Sequence, residues 1–277
     1  MKTRIVKLLC VMSACSLLIA CGQEATPEVD ENTEVEEVPE TKVLENVTAP
    51  EEQNLPPMEE AYKNLLTELY DNGRLPFADD ESGYLEVAEE DMEEMREDSS
   101  FAVYDVDGDE QDELVVYFDP SWVAGRRGIV YGYDSDTDSI YEELWEYPDM
   151  SFYENGAIEA RISHNQGPAI DFWPYSLYKY DIESDSYVYV GFVEAYEKGL
   201  YEDNKEAFDN LYGPYPYDAD KDGNGVVYYI REDQIDYIDD QEPVDDDEYL
   251  DWLEQTTEGS KKFEIEFYKL NGELRGR

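Results

Sequence analysis

The sequence predicts an α+β domain with an antiparallel β-meander, a hairpin-rich sheet core, an N-terminal helix and C-terminal helices. Three observations predict it. Between Phe101 and Val193, short aromatic and β-branched runs alternate with polar, aspartate-rich turns. A stretch of helical periodicity precedes that region, and further helical stretches with two more strands follow it. The order helix, many strands, then mixed helix and strand is that of a sheet-based α+β unit. About 220 residues, 58–277, is a length one β-rich domain accommodates.

The elements follow in chain order. Apolar residues at Ala61, Tyr62, Leu65, Leu66 and Leu69 give Glu59–Tyr70 one buried helical face, and Asn72-Gly73 stops it. Glu86–Asp98 is a second, very acidic helix candidate. Phe101–Tyr104 and Leu114–Phe118 read as strands around an aspartate-rich turn. Gly128–Tyr133 and Ile140–Trp145 flank a second turn, and Ser176–Tyr180 and Tyr187–Phe192 flank a third. Within the strand-rich region, Tyr-x-Tyr-Asp followed by a short acidic turn occurs twice, at Tyr131–Asp134 and Tyr178–Asp181. This hints at a repeated hairpin unit, though two copies do not make a propeller. Helices are expected again at Asp203–Tyr212 and Asp246–Thr257, and strands at Val226–Ile230 and Phe263–Tyr268.

Composition separates this domain from what precedes it. The chain carries 71 acidic against 20 basic residues, a net charge of −51, yet 41% of it is hydrophobic and 25 residues are tyrosine. Charge without hydrophobicity is concentrated in residues 21–57, where Gly22–Pro57 holds eleven acids against the single base Lys42, with five prolines and no aromatic residue. Such a segment is expected to be a disordered tether, extended by self-repulsion, that reaches on the order of 100 Å. So acidic an exterior repels phosphate backbones, which excludes nucleic acid as a partner. It favours metal or positively charged partners, and it is also a common solubility device.

Ahead of the tether, Lys2, Arg4 and Lys7 precede an apolar run from Leu8 to Ala20. Residues 1–20 read as a signal peptide, since the run is too short for a stable membrane span. The ending Leu18-Ile19-Ala20-Cys21 resembles the lipobox of bacterial lipoproteins. That resemblance implies a diacylglycerol on Cys21, a lipid anchor in the cell membrane and display on the extracellular face. Cys10 and Cys15 would leave with the leader, so the exported chain would have no disulfide, free thiol or cysteine-based zinc site. It would keep 17 basic and all 71 acidic residues, a net charge of −54.

The strongest chemistry lies in Asp105-Val-Asp107-Gly-Asp109-Glu-Gln111-Asp-Glu113. Calcium takes six to eight oxygens, and carboxylates at positions 1, 3 and 5 of a tight loop converge on one point. The carbonyl of Gln111 and the carboxylate of Glu113 would close the shell. Strand-like flanks and Val116 at position 12 argue against an EF-hand. The motif resembles the β-hairpin calcium loops of FG-GAP and related repeat proteins, whose pattern runs Asp-x-Asp-x-Asp-Gly-x-x-Asp. It departs from that pattern at the sixth position, where Glu110 replaces glycine; a left-handed backbone there costs on the order of 1 kcal/mol. An acidic turn without metal is the alternative.

Asp218-Ala-Asp220-Lys-Asp222-Gly223-Asn224 is a second candidate, with Asn224 supplying a carbonyl. Val226 and Tyr229 stand where closing acids belong, so either Asp233 folds back or the loop is a solvated turn. Asp134-Ser-Asp136-Thr-Asp138 lacks glycine and reads as an ordinary hairpin turn.

For catalysis there is little. The single histidine, His164, in Ser163-His164-Asn165-Gln166-Gly167, reads as a turn residue or as a lone general base. No Gly-x-Ser-x-Gly elbow, phosphate loop or dinucleotide fingerprint is present. The segments Ser163-His-Asn-x-Gly167 and Trp173-Pro-Tyr-Ser-Leu-Tyr-Lys-Tyr-Asp181, with the Asp105 hairpin, resemble uncharacterised surface lipoproteins of Gram-positive anaerobes. The resemblance covers most of residues 58–277, implies one folded, surface-exposed unit and transfers no activity. The expected role is a membrane-anchored, non-enzymatic, calcium-stabilised surface binding module for a glycan, a cell-wall polymer or a protein. An extracellular hydrolase and an accessory subunit of a membrane complex are the alternatives.

Overall fold

The computed structural model describes residues 57–78, 81–163, 167–232 and 241–270. The predicted leader, Cys21, the tether up to residue 56, His164 and Asp233 lie outside them. Helix α1 (Pro57–Asn72) opens with proline at its first position, where the missing N–H is not needed. It ends at Gly73, whose φ of +63° and N–H bond to the Leu69 carbonyl (2.9 Å) form a left-handed cap. A two-stranded ribbon follows, β1 (Arg74–Pro76) with β2 (Tyr84–Glu86). After it comes α2 (Met92–Asp98).

Two larger antiparallel sheets form the centre, and each is assembled from consecutive strands. The five-stranded sheet is a meander of β3 (Ser100–Tyr104), β4 (Glu113–Phe118), β5 (Arg127–Asp134) and β6 (Ser139–Glu146). The six-stranded sheet runs through β7 (Met150–Tyr153), β8 (Ala157–Arg161), β9 (Tyr175–Asp181) and β10 (Ser186–Glu197) to β11 (Val226–Arg231). Between β10 and β11 lie α3 (Lys198–Asp203) and α4 (Lys205–Leu211), and α5 (Asp246–Thr256) follows β11. The final strands, β12 (Lys262–Phe263) and β13 (Tyr268–Lys269), pair with β7 of one sheet and β3 of the other.

The sheets face each other. Ala102, Val115, Val130 and Leu144 of one meet Met150, Phe152, Ile158 and Ala160 of the other in a shared core. The opposite face of the five-stranded sheet (Leu114, Val116, Phe118, Ile129) is covered by Tyr62, Leu65, Leu66 and Leu69 of α1 and Met92 and Met95 of α2. The outer face of the six-stranded sheet packs Tyr153, Leu177 and Val193 against Tyr249, Trp252 and Leu253 of α5. This is a four-layer α/β/β/α arrangement. It explains why β4 and β5 read as unbroken apolar runs, because both of their faces are buried. Each fully buried Leu, Val or Phe contributes about 1.5–3 kcal/mol relative to exposure.

The fold class agrees with the expectation, and four details differ. Glu86 closes β2 instead of starting the helix expected at Glu86–Asp98, because Arg74↔Glu86 and Leu75↔Leu85 pair across the ribbon, and the α-helix begins at Met92. Strands β7 and β8 and the ribbon are additions, short pieces held by pairing with their neighbours. The helix expected at Asp203–Tyr212 is α4, Lys205–Leu211, and an additional short helix, α3, precedes it and meets it at Asn204. The strand expected at Phe263–Tyr268 divides. Phe263, Ile265 and Phe267 keep the alternation that predicted a strand and point into the inter-sheet core. The backbone between them passes from the edge of one sheet to the edge of the other.

Candidate metal centre

The loop between β3 and β4 is closed by the Tyr104↔Glu113 pair, which sends the Glu113 side chain between the sheets. Successive backbone N–H groups tie down the aspartates. Gly108 N donates to Asp105 Oδ1 (2.8 Å), Asp109 N to Asp107 Oδ1 (2.9 Å) and Gln111 N to Asp109 Oδ1 (2.7 Å). Val106 N donates to Glu113 Oε2 (2.8 Å). Carboxylate oxygens of Asp105, Asp107 and Glu113 then all lie within 4.8 Å of one another. Asp109 lies outside that converging group, and Gln111 turns its amide nitrogen to the Tyr133 carbonyl (3.1 Å). Glu110 adopts φ +76°, the left-handed turn that the sixth position demands. The β7–β8 turn presses on the loop: a Cβ at Gly156 would sit 2.2 Å from the Asp107 carbonyl oxygen.

Glu143 joins this group from β6. Val130 pairs with Leu144 and Tyr131 with Glu142, so Glu143 is the extra residue of a β-bulge. It lies over Gly132, where a Cβ would come within 2.1 Å of Glu143 Oε1 and 2.5 Å of the Tyr141 hydroxyl. Glu143 is 8% exposed, and its Oε2 is buried with no hydrogen-bond partner. From the facing sheet, Tyr187 brings a buried hydroxyl that likewise lacks a partner.

Burial, then repulsion from Asp107, pushes the Glu113 carboxyl up to about 9 and that of Glu143 up to about 8. Burial also pushes Asp107 up to about 6, against the Asp109 N–H bond that favours its charged form. Among the described residues no ion pair joins these acids to a lysine or arginine. Buried carboxylates without a counter-charge take up either protons or a cation. Oxygen-only donors at this spacing match a hard divalent ion such as calcium. A pocket of about 240 Å³ beside the loop, lined by Tyr104, Asp105, Gly108, Glu154 and Phe263 among others, opens onto Asp105.

The two Tyr-x-Tyr-Asp hairpins, one from each sheet, carry matching turns. Thr137 Oγ1 donates to Asp134 Oδ2 and Ser184 Oγ to Asp181 Oδ2, both at 2.7 Å. Those bonds hold both aspartates below the usual carboxylate range. Asp138 and Asp185 take φ of 53° and 51°, and each accepts a bond from a tyrosine of its own hairpin, Tyr133 and Tyr180. Tyr141 of the five-stranded sheet donates across to Asp185 (2.7 Å), which links the hairpins. Asp134 and Asp136 are thus engaged in turn bonding.

At the second loop, oxygens of Asp220, Asp222 and Asp245 converge within 4.8 Å. Asp218 is exposed and outside the group. Asn224 aims its amide nitrogen at Asp222 (3.1 Å) and Asp246 (2.8 Å). Sequence reasoning missed Glu143 and Asp245, which arrive from other elements. The motif Asp245-x-x-Glu248 announces only a helix capping box, which the structure contains. Trp173, which follows His164 in the lipoprotein-like motif, is exposed and donates to the Ile162 carbonyl (2.6 Å). Compared with known proteins, the chain matches no family model, no curated protein and no solved structure.

Proposed function

We propose that this chain is a calcium-stabilised binding module, carried to the cell surface by a lipid on Cys21 and held off the membrane by its acidic tether. The observation that carries the calcium reading is the convergence of Asp105, Asp107 and Glu113 within 4.8 Å, beside the unpartnered buried Oε2 of Glu143. A divalent cation there would neutralise like charges that otherwise repel in a low-dielectric space between two sheets. The ion would tie β3 and β4 together and support the Gly108–Glu113 turn. Its role in this reading is structural. Binding would fall to exposed aromatic residues such as Trp122, Trp173 and Tyr104, which offer faces suited to sugars or protein partners.

Calcium titration of the purified chain tests the metal. Saturable heat and a raised melting temperature are expected, and both should vanish in Asp105→Ala plus Asp107→Ala. Unchanged behaviour in that variant would remove the assignment. Cys21→Ser tests the anchor, since it should shift the protein from the membrane fraction to the medium. Pull-down from native membranes, with and without a chelator, tests the partner.

A further inference from the structure

The second aspartate loop reaches beyond itself for its third carboxylate. The isolated Tyr228↔Val244 bridge, with N–H···O bonds of 2.9 and 2.8 Å in both directions, sets Asp245 beside the start of β11 and thus beside residues 218–225. Lys221 N and Asp222 N both donate to Asp245 Oδ2 at 3.0 Å. That fixes the carboxylate and leaves its other oxygen over. Asp245 is only 5% exposed, and its Oδ1 is buried without a hydrogen-bond partner. Asp246 Oδ1 is in the same condition. The hydroxyl of Tyr215, 2% exposed, faces Asp220 and Asp245. Lys221, the base within the loop, places its ammonium on Glu248, away from this group.

We infer that Asp220, Asp222 and Asp245 form a second divalent-cation site, in which the N-cap residue of α5 is the closing ligand. The buried, unpaired oxygen of Asp245 is the observation that distinguishes this arrangement from a solvated acidic turn. A capping aspartate needs one oxygen for the helix N–H and loop bonds, and a second buried oxygen without a donor is costly to keep. An ion bound there would join the loop before β11 to the first turn of α5. Since α5 packs Tyr249, Trp252 and Leu253 on the six-stranded sheet, the ion would fasten that helix in place. The two metal sites are built from different residues, so either can exist without the other.

Calcium stoichiometry of the full-length chain, purified in detergent and measured calorimetrically with calcium chloride, tests the inference. Wild type should bind two ions, Asp105→Ala plus Asp107→Ala should bind one, and adding Asp245→Asn should leave none. Asparagine caps helices as well as aspartate does, so that change removes charge while α5 stays capped. Asp222→Asn, which leaves α5 untouched, should abolish the same binding event and keeps the test sound if Asp245→Asn misfolds. If the triple variant still binds one ion, the ligand assignment is overturned. If wild type binds one ion and Asp105→Ala plus Asp107→Ala removes it, the second site does not exist and the first stands. If that double variant keeps a lone ion which Asp245→Asn then removes, the first site fails and the second stands. A wild type that binds none overturns both.

Discussion

The two aspartate loops begin from the same Asp-x-Asp-x-Asp spacing and end in different surroundings. In the first, positions 1, 3 and 9 converge, and the closing acid Glu113 starts the next strand. In the second, positions 3 and 5 converge, and the third acid stands at the head of a helix more than twenty residues later. The first loop is wedged between two sheets, so Asp107 and Glu113 are buried and raised in pKa, with Glu143 added from a bulge. The second lies beside a strand edge and a helix start, held by backbone N–H groups. Local spacing therefore supplies all three carboxylates of the first loop but only two of the second, where the tertiary fold selects the third.

Metal removal should separate the loops most strongly. At calcium concentrations of about 100 times the dissociation constant, a site specific to the folded state adds about 2.7 kcal/mol. For a domain of this size that corresponds to roughly 5–10 °C in melting temperature. Asp105→Ala plus Asp107→Ala should erase the part of the gain that belongs to the first site, read by thermal unfolding with and without chelator. A gain that persists in full would place the stabilising ion elsewhere.

The next effect concerns pH. In metal-free protein the folded state holds protons on Glu113 and Glu143 up to about pH 9 and 8, whereas an unfolded chain releases them near pH 4.5. The folded state then binds more protons between those limits, so unfolding free energy falls as pH rises through that window. Urea unfolding at pH 5 and pH 8 should differ by on the order of 2 kcal/mol or more without metal. Saturating calcium should flatten the difference. A metal-free profile that is flat across this range would mean that the acids are not buried together.

Gly132→Ala attacks the first region through packing alone. The added methyl would meet Glu143 Oε1 and the Tyr141 hydroxyl, both well inside contact distance. A loss of about 1–3 kcal/mol is expected, together with weaker calcium binding at the first loop and none of that weakening at the second. Chemical denaturation and calorimetry on one preparation would read both.

Much of this was legible along the chain, for reasons that differ by element. Strands β4, β5, β9 and β10 announce themselves by long apolar or aromatic runs, and α1 by its five-residue face. The repeated Tyr-x-Tyr-Asp signals two hairpin turns that share a hydroxyl bond to Oδ2, at Asp134 and at Asp181. Strands β7 and β8 carry no such run; Ser151 and Glu159 interrupt them, and neighbouring strands hold them in place. Glu143 looks like any acid in an acidic strand, and only the bulge reveals that it turns inward over Gly132. Asp245 reads as a helix cap, and the ligand role proposed for it depends on the Tyr228↔Val244 bridge, which leaves no trace in local spacing.

The smallest expected effect is also the most direct comparison of the loops. Both turn left-handed at their sixth position, with Glu110 at φ +76° and Gly223 at φ +75°. Glutamate pays a steric penalty there that glycine does not, because only glycine lacks the Cβ that crowds the carbonyl oxygen. Glu110→Gly should relieve that strain, less the greater freedom glycine gives the unfolded chain, for a net gain of a few tenths to about 1 kcal/mol. Gly223→Glu should do the reverse to the second loop. Glu110 is exposed and outside the converging carboxylates, so its removal leaves the proposed first-loop ligands intact. Calcium affinity at that site should hold or rise slightly, since the loop enters its binding shape with less strain. A fall in affinity in Glu110→Gly would show that the glutamate itself supports the ion, and would move it from the turn into the ligand set.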